Sequence, residues 1–237
     1  MTYQIFSSLL IAHILGDFYF QNDAQCLEKS HKKQKSPFLY IHSIILGSLS
    51  WISLPFTGFW WCTLLIAFSH FAIDLLKSYK PDNLKTFVMD QLAHLTILYV
   101  ISLYFDKNSL DFISLFSTMP NIWGCDFTDL AIALLLCLKP SNILIKKVLE
   151  RYSIGNSNSC KEIKDAGALI GDLERVLTFI LVVFGQFEAV GFVVAAKSIL
   201  RFKETDTAKT EYVLAGTFLS FGIAVILGIC VRFNNIA

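Results

Sequence analysis

At 237 residues the chain could build one or two domains, but 54% of it is hydrophobic and only 16% charged, with a mean hydropathy of +0.56. That places it well to the apolar side of soluble domains and points to a polytopic membrane protein. A net charge of +1, without any basic stripe interleaved with aromatics, gives no footing for nucleic acid, and no nucleic-acid partner is expected.

Six cysteines, at 26, 62, 125, 137, 160 and 230, form no C-x-x-C pair, which argues against a disulfide framework or a thiolate zinc site. They read as small apolar fillers. Residues 1–20 lack a basic leading region and a small-residue cleavage site and carry His13 and Asp17, so they read as a retained helix rather than a signal peptide.

The first apolar segment runs from about Ile5 to Phe20 and ends in a polar loop with Lys29, His31, Lys32, Lys33 and Lys35 ahead of Pro37. By the positive-inside rule that loop is cytoplasmic. Phe38 to Leu54 forms a second segment, an uncharged turn follows, and Phe59 to Leu76 returns towards Lys77, Lys80 and Lys85. Thr86 to Phe105 is the fourth, followed by Asp106, Asp111, Asp126 and Asp129 against Lys107, a loop that suits the outer side. Asp129 to Leu138 is too short to span alone, and Ile143 to Leu149 resumes the pattern beyond Lys139 and Pro140, so this piece reads as a broken or interfacial helix.

Arg151 to Lys164 is polar and reads as a flexible linker. Val176 to Ala196 and Tyr212 to Phe233 are two further spans, joined by a loop with Lys197, Arg201, Lys203 and Lys209. If every segment crosses, that basic loop falls outside, against the rule. The conflict disappears if the short segment stays on one side or the sixth helix turns back near Gly185 to Gly191. Gly167 and Gly171 read as a close-packing face. The expected architecture is all-α, a transmembrane bundle of six to seven membrane segments. Residues 1–127 form a four-helix core, and 128–237 hold the broken helix, linker and two further spans that brace the core or make a homo-oligomer contact.

Ser69 to Lys77 is the stretch hardest to explain as packing. On a helix, Asp74 and Lys77 lie about 40° and −20° from His70, so three ionisable groups share one narrow face. His13 and Asp17 repeat the spacing, Asp90 and His94 reverse it as an antiparallel neighbour requires, and the second segment adds His42. Counted from the basic-loop ends, all seven fall within about 5 to 10 Å of one membrane face. Neutral imidazole and carboxylate suit a divalent metal, zinc foremost, with manganese or iron as alternatives. The candidate ligands are His13, Asp17, His42, His70, Asp74, Asp90 and His94. Each Asp is alternatively an orienter of a ligating His.

A single membrane histidine commonly serves as a hydrogen-bonded packing residue; four at one depth beside three carboxylates are harder to explain that way. His31 reads as a solvated loop residue. Lys77 has two readings, reaching the head groups or neutralising a substrate oxygen. Gln21 and Gln91 are expected to be ordinary interfacial hydrogen-bonders. Glu174, Arg175, Lys197 and Arg201 are expected to pair at helix ends, and Glu188 stands out as a mid-span carboxylate with no local cation.

At His13-Ile14-Leu15-Gly16-Asp17-Phe18 with Gln21, Ser69 to Lys77, Asp90-Gln91-Leu92-Ala93-His94 and Gly191 to Phe202, the chain resembles a bacterial integral-membrane family known only as a domain of unknown function, number 3307. The resemblance implies a multi-pass protein of the bacterial inner membrane and supplies no chemistry. The His and Asp pattern is similar, more distantly, to that of inner-membrane proteins described as membrane-bound metal-dependent hydrolases.

The leading expectation is a metal-dependent hydrolase of a lipid or lipid-linked phosphoester at the cytoplasmic face, with Asp17 or Asp90 as general base and Lys77 stabilising negative charge. Membrane lipid is then the partner, drawn by the basic loops. The alternatives are a proton or divalent-cation transporter that uses Glu188, and a non-catalytic anchor or sensor.

Overall fold

In the computed structural model, residues 2–55, 57–107, 121–122, 125–152, 161–201 and 207–236 are described. They form ten α-helices and no strand, with one isolated bridge between Ile122 and Cys125. Asp111, the linker residues 153–160 with Cys160, and Lys203 lie outside the described residues. The chain divides into two units, Met1–Ile132 and Ala133–Ala237.

In the first unit, helix α1 (Thr2–Ile14) passes without interruption into a π turn at Leu15–Tyr19, where the Phe20 amide reaches back five residues to the Leu15 carbonyl at 2.9 Å. Such wide turns re-aim side chains and are common at functional sites. Gly16 within it permits close approach to α3 (Pro37–Ser53), since a Cβ there would lie 1.9 Å from Leu46 Cδ2.

Between these helices, the stretch expected to be a loop folds as α2 (Asp23–Lys32), started by an Asn22/Gln25 capping box and ended at Lys33 with φ of 51°. Ser36 and Pro37 then open α3, proline being favoured where no amide partner is needed. Helices α4 (Trp60–Ser78) and α5 (Leu84–Lys107) complete the core, α5 beginning where Asn83 Oδ1 accepts the Thr86 amide at 2.9 Å. Helix α1 packs on α3 and α5, and α4 on α3 and α5.

At one end of this unit Ile5, Leu9, Leu54, Phe59, Cys62, Ile66, Leu98 and Ile101 form the apolar core. The outside is also apolar: Phe68 is 72% exposed, Ile44 64% and Leu64 62%. A surface of that kind needs a partner or lipid to cover it. Buried serines do not disturb the packing because they bond back to their own helices, Ser8 to the Gln4 carbonyl and Ser50 to that of Leu46, each at 2.8 Å. Asp129, expected in an outward-facing acidic loop, is instead buried in the first turn of α6 (Phe127–Cys137) and accepts the Tyr3 hydroxyl.

The second unit contains the rest of α6, α7 (Lys139–Arg151), α8 (Lys161–Val183), α9 (Phe187–Arg201) and α10 (Thr207–Ile236). The chain breaks at Leu138, as expected from Lys139 and Pro140. Arg175 fills the break: its Nε donates to the freed Cys137 carbonyl at 2.5 Å, and its other nitrogens reach Ser220, Asn142 and Asp172. A buried guanidinium is tolerable when its donors are used in this way.

Val176 to Ala196, expected either as one span or as a segment turning back near Gly185 to Gly191, is two helices parted near Gly185. Gly185 has φ of +73°, a left-handed conformation that glycine adopts cheaply and that ends α8. Lys197 on α9 pairs back to Glu174 on α8, the interhelical pairing expected for these groups. Lys197 and Arg201 lie on α9 and Lys209 on α10, so these three cations of the expected loop are on helices. Among the described residues Gly167 and Gly171 make no close-packing face: a Cβ on Gly167 would meet nothing within 4 Å there, and one on Gly171 only Arg175.

Among the described residues, Trp60–Ser78, Leu84–Phe105, Phe127–Arg151 and Tyr212–Asn234 are long and apolar enough to cross a membrane.

Candidate metal centre

Four donor atoms from three stretches of the first unit converge. His42 Nε2 on α3 lies 3.1 Å from His70 Nε2 on α4 and 3.2 Å from Asp17 Oδ1 on the π turn. Asp74 Oδ2, one turn from His70, is 3.8 Å from His42 Nε2 and 3.9 Å from His70 Nε2, and His70 Nε2 is 3.7 Å from Asp17 Oδ1. A tetrahedral zinc with bonds of about 2.0–2.1 Å holds its ligands about 3.3–3.4 Å apart, close to the middle of this range. Two imidazole nitrogens facing each other need a proton or a cation between them, and Asp17 Oδ1 and Asp74 Oδ2 each lie within 3.9 Å of both nitrogens. The donor set therefore fits a divalent metal. All four side chains are nearly inaccessible, from 0% exposed for His42 to 7% for Asp17.

Beside this set stands a second layer on α5. Asp90 Oδ1 and His94 Nε2 face each other at 3.5 Å, the His94 ring stacks on that of His70 with centroids 4.1 Å apart, and Lys77 Nζ donates to Asp90 Oδ2 at 2.6 Å. Gln91 ties the layers together: its amide nitrogen donates to Asp17 Oδ2 at 2.7 Å and Asp90 Oδ2 at 3.2 Å, and its oxygen lies 3.4 Å from His13 Nε2. Carboxylates fixed in this way hold their remaining oxygens in place for ligation. On the other side of the histidines, a cavity of about 10 Å³, lined in part by His13, Ser50, Ser69 and His94, has room for about one water.

The structure thus gathers Asp17, His42 and His70 in one group and Asp74 and His94 around the same His70 in another, places Asp90 beside His94, and leaves His13 behind Gln91 with its ring 5.1 Å from that of His94. Lys77 neither points freely to the surface nor stands unpaired, being committed to Asp90 while its side chain stays 34% exposed. Asp17 is occupied by His42 and Gln91.

His31 is exposed on α2, as expected. Gln21 donates to Cys26 Sγ at 2.7 Å. Gln91, expected to be an ordinary hydrogen-bonder, is the central bridge. Glu188 is not mid-span: it is exposed in the first turn of α9, where the helix dipole favours an acid.

One member had no signal in the sequence. Lys29 on α2 places Nζ 2.5 Å from Asp74 Oδ2 with its side chain only 11% exposed, although α2 has no buried residue. Among four basic residues between Lys29 and Lys33, nothing marked it as the inward one.

The molecule is thus an all-helical protein with helices of membrane length and a buried His/Asp cluster in its N-terminal half. Residues 5–123 match the family model described as Protein of unknown function (DUF3307), and the chain belongs to that family. No curated protein matches it, and no solved structure does.

Proposed function

We propose that this protein is a multi-pass enzyme of the bacterial inner membrane, with six to seven membrane segments, that hydrolyses a lipid or lipid-linked phosphoester at a metal site near the cytoplasmic face. The observation that carries the reading is the convergence of Asp17 Oδ1, His42 Nε2, His70 Nε2 and Asp74 Oδ2 within 3.1–3.9 Å in the described contacts. A divalent metal held there supplies a water acidic enough to lose its proton near neutrality and a charge that polarises a phosphoryl oxygen. Asp17 acts as a ligand in this reading, not as the base.

The remaining residues hold the site. Gln91 fixes the Asp17 carboxylate, and Phe38 stacks on the His42 ring with centroids 5.9 Å apart. Lys77, partly exposed and anchored on Asp90, supplies positive charge beside the donor set for an anionic oxygen. The neighbouring lysines of α2 and of residues 77–85 attract anionic head groups to the same face.

The test is elemental analysis of protein purified in mild detergent without chelator, followed by phosphate release from a panel of lipid phosphoesters. Stoichiometric zinc or manganese, lost in His42→Ala, together with hydrolysis that tracks metal content, is the expected result. Metal without hydrolysis overturns the enzyme reading, and no metal after reconstitution overturns the site.

A further inference from the structure

Two buried polar atoms beside the four-donor set have no hydrogen-bond partner: Asp90 Oδ1 and His94 Nε2. Their residues are 5% and 4% exposed, and the two atoms face each other at 3.5 Å. Leaving both a carboxylate oxygen and an imidazole nitrogen dry is costly, so the pair needs something between or beside it. The other groups on these side chains are already committed. Asp90 Oδ2 holds Lys77 and Gln91, which fixes the carboxylate so that Oδ1 points towards His94, and the His94 ring is stacked against His70.

We infer that Asp90 and His94 form a second divalent-cation site adjoining the first, so that the centre is binuclear; this rests on the four-donor site proposed above. A separation of 3.5 Å suits two ligands of one metal with bonds near 2.1 Å. The new site is contiguous with the old one, because His70, Asp74 and His94 each offer a donor atom within 4.8 Å of the others. Asp74 carries two oxygens and is the group placed to bridge, and metals about 3.5–4 Å apart are the usual spacing of two-metal phosphoester sites. The ligand chemistry, one imidazole and carboxylate oxygens with open positions, fits manganese or zinc. The substrate class sharpens as well: paired cations favour a phosphoester whose two free oxygens can each meet one of them.

The experiment loads metal-stripped, detergent-purified protein with manganese(II) and reads both its stoichiometry and its low-temperature electron paramagnetic resonance. Wild type is expected to hold two ions per chain with an exchange-coupled spectrum. Asp90→Asn, which preserves shape, and His94→Ala should each hold one ion with an uncoupled six-line signal. Helical content and elution volume are compared with wild type, so that loss of an ion is not loss of fold. One ion in wild type, unchanged by Asp90→Asn, means a His–Asp pair only and overturns the second site while leaving the first. Two ions retained in both variants overturn the assignment to these residues, and no ion in wild type overturns both sites.

Discussion

Lys29→Met is the substitution whose outcome differs most between a cation site and a packing cluster. Lys29 Nζ sits 2.5 Å from Asp74 Oδ2, the oxygen that also faces His42 and His70. A metal bonded to that oxygen would lie at most about 4.6 Å from the ammonium. At an effective dielectric of about 20, a divalent and a monovalent cation at this distance repel by roughly 7 kcal/mol. The two therefore exclude each other, and because α2 buries none of its own residues, the lysine can swing into solvent at the cost of its pair.

A hydrogen bond to a charged group contributes about 1.5–3 kcal/mol, so removing the competitor should tighten metal binding roughly ten- to hundredfold. The metal-free variant should also be less stable, by up to about 3–5 kcal/mol, because Asp74 is left as a buried charge without its cation. Added metal should recover that loss. Zinc titration calorimetry and thermal melting of wild type, Lys29→Met and Lys29→Arg measure both effects, with arginine expected to keep the competition. Weaker or unchanged zinc binding in Lys29→Met would refute the reasoning, since Lys29 would then be a support for the site and not the stand-in for its ion.

Gly16→Ala should lower thermal stability by about 1–3 kcal/mol, since its Cβ would lie 1.9 Å from Leu46 Cδ2, and Leu46→Ala in the same chain should return part of the loss. Gln91→Leu should weaken metal binding about 10- to 100-fold, with helical content unchanged, because Asp17 and Asp90 lose their common donor. Arg175→Met should destabilise the protein by about 1–3 kcal/mol, seen as earlier melting, by leaving the Cys137 carbonyl without its side-chain donor. Glu188→Gln should leave metal content and ion flux in liposomes at wild-type values; a loss of flux would restore a transport role.

The apolar helices of the first unit and the shared face of His70 and Asp74 were legible because hydropathy and four-residue spacing are local properties. The depth argument also carried across helices: the reversed order of Asp90 and His94 does bring α5 level with α4. What escaped needed three-dimensional information. Nothing local distinguishes Lys29 from Lys32 or Lys33, and α2 hid as a loop because it is polar overall and buries none of its own residues. Asp129 looked like a loop acid because its partner, Tyr3, is 126 residues away. The α8–α9 break near Gly185 was one of two ways of reconciling the basic loop with the positive-inside rule, and the sequence did not choose between them because the break depends on a positive φ that it does not state.

Charge supports the proposed cation site over a reading of the cluster as polar packing alone. Asp17, Asp74 and Asp90 bring three negative charges, and Lys29 and Lys77 bring two positive ones. With the histidines neutral, as the proposed ligation requires, one buried negative charge is left over. An uncompensated charge in such surroundings is expensive, and packing alone would have been served as well by apolar residues of similar volume. One divalent ion that displaces Lys29 brings the cluster to neutrality. A second at Asp90 and His94 leaves it doubly positive, an arrangement that waits for an anion. A phosphoester oxygen pair arriving from the head-group layer is the anion that would balance it. The same count that makes the metal-free cluster attract cations therefore makes the filled centre attract phosphate.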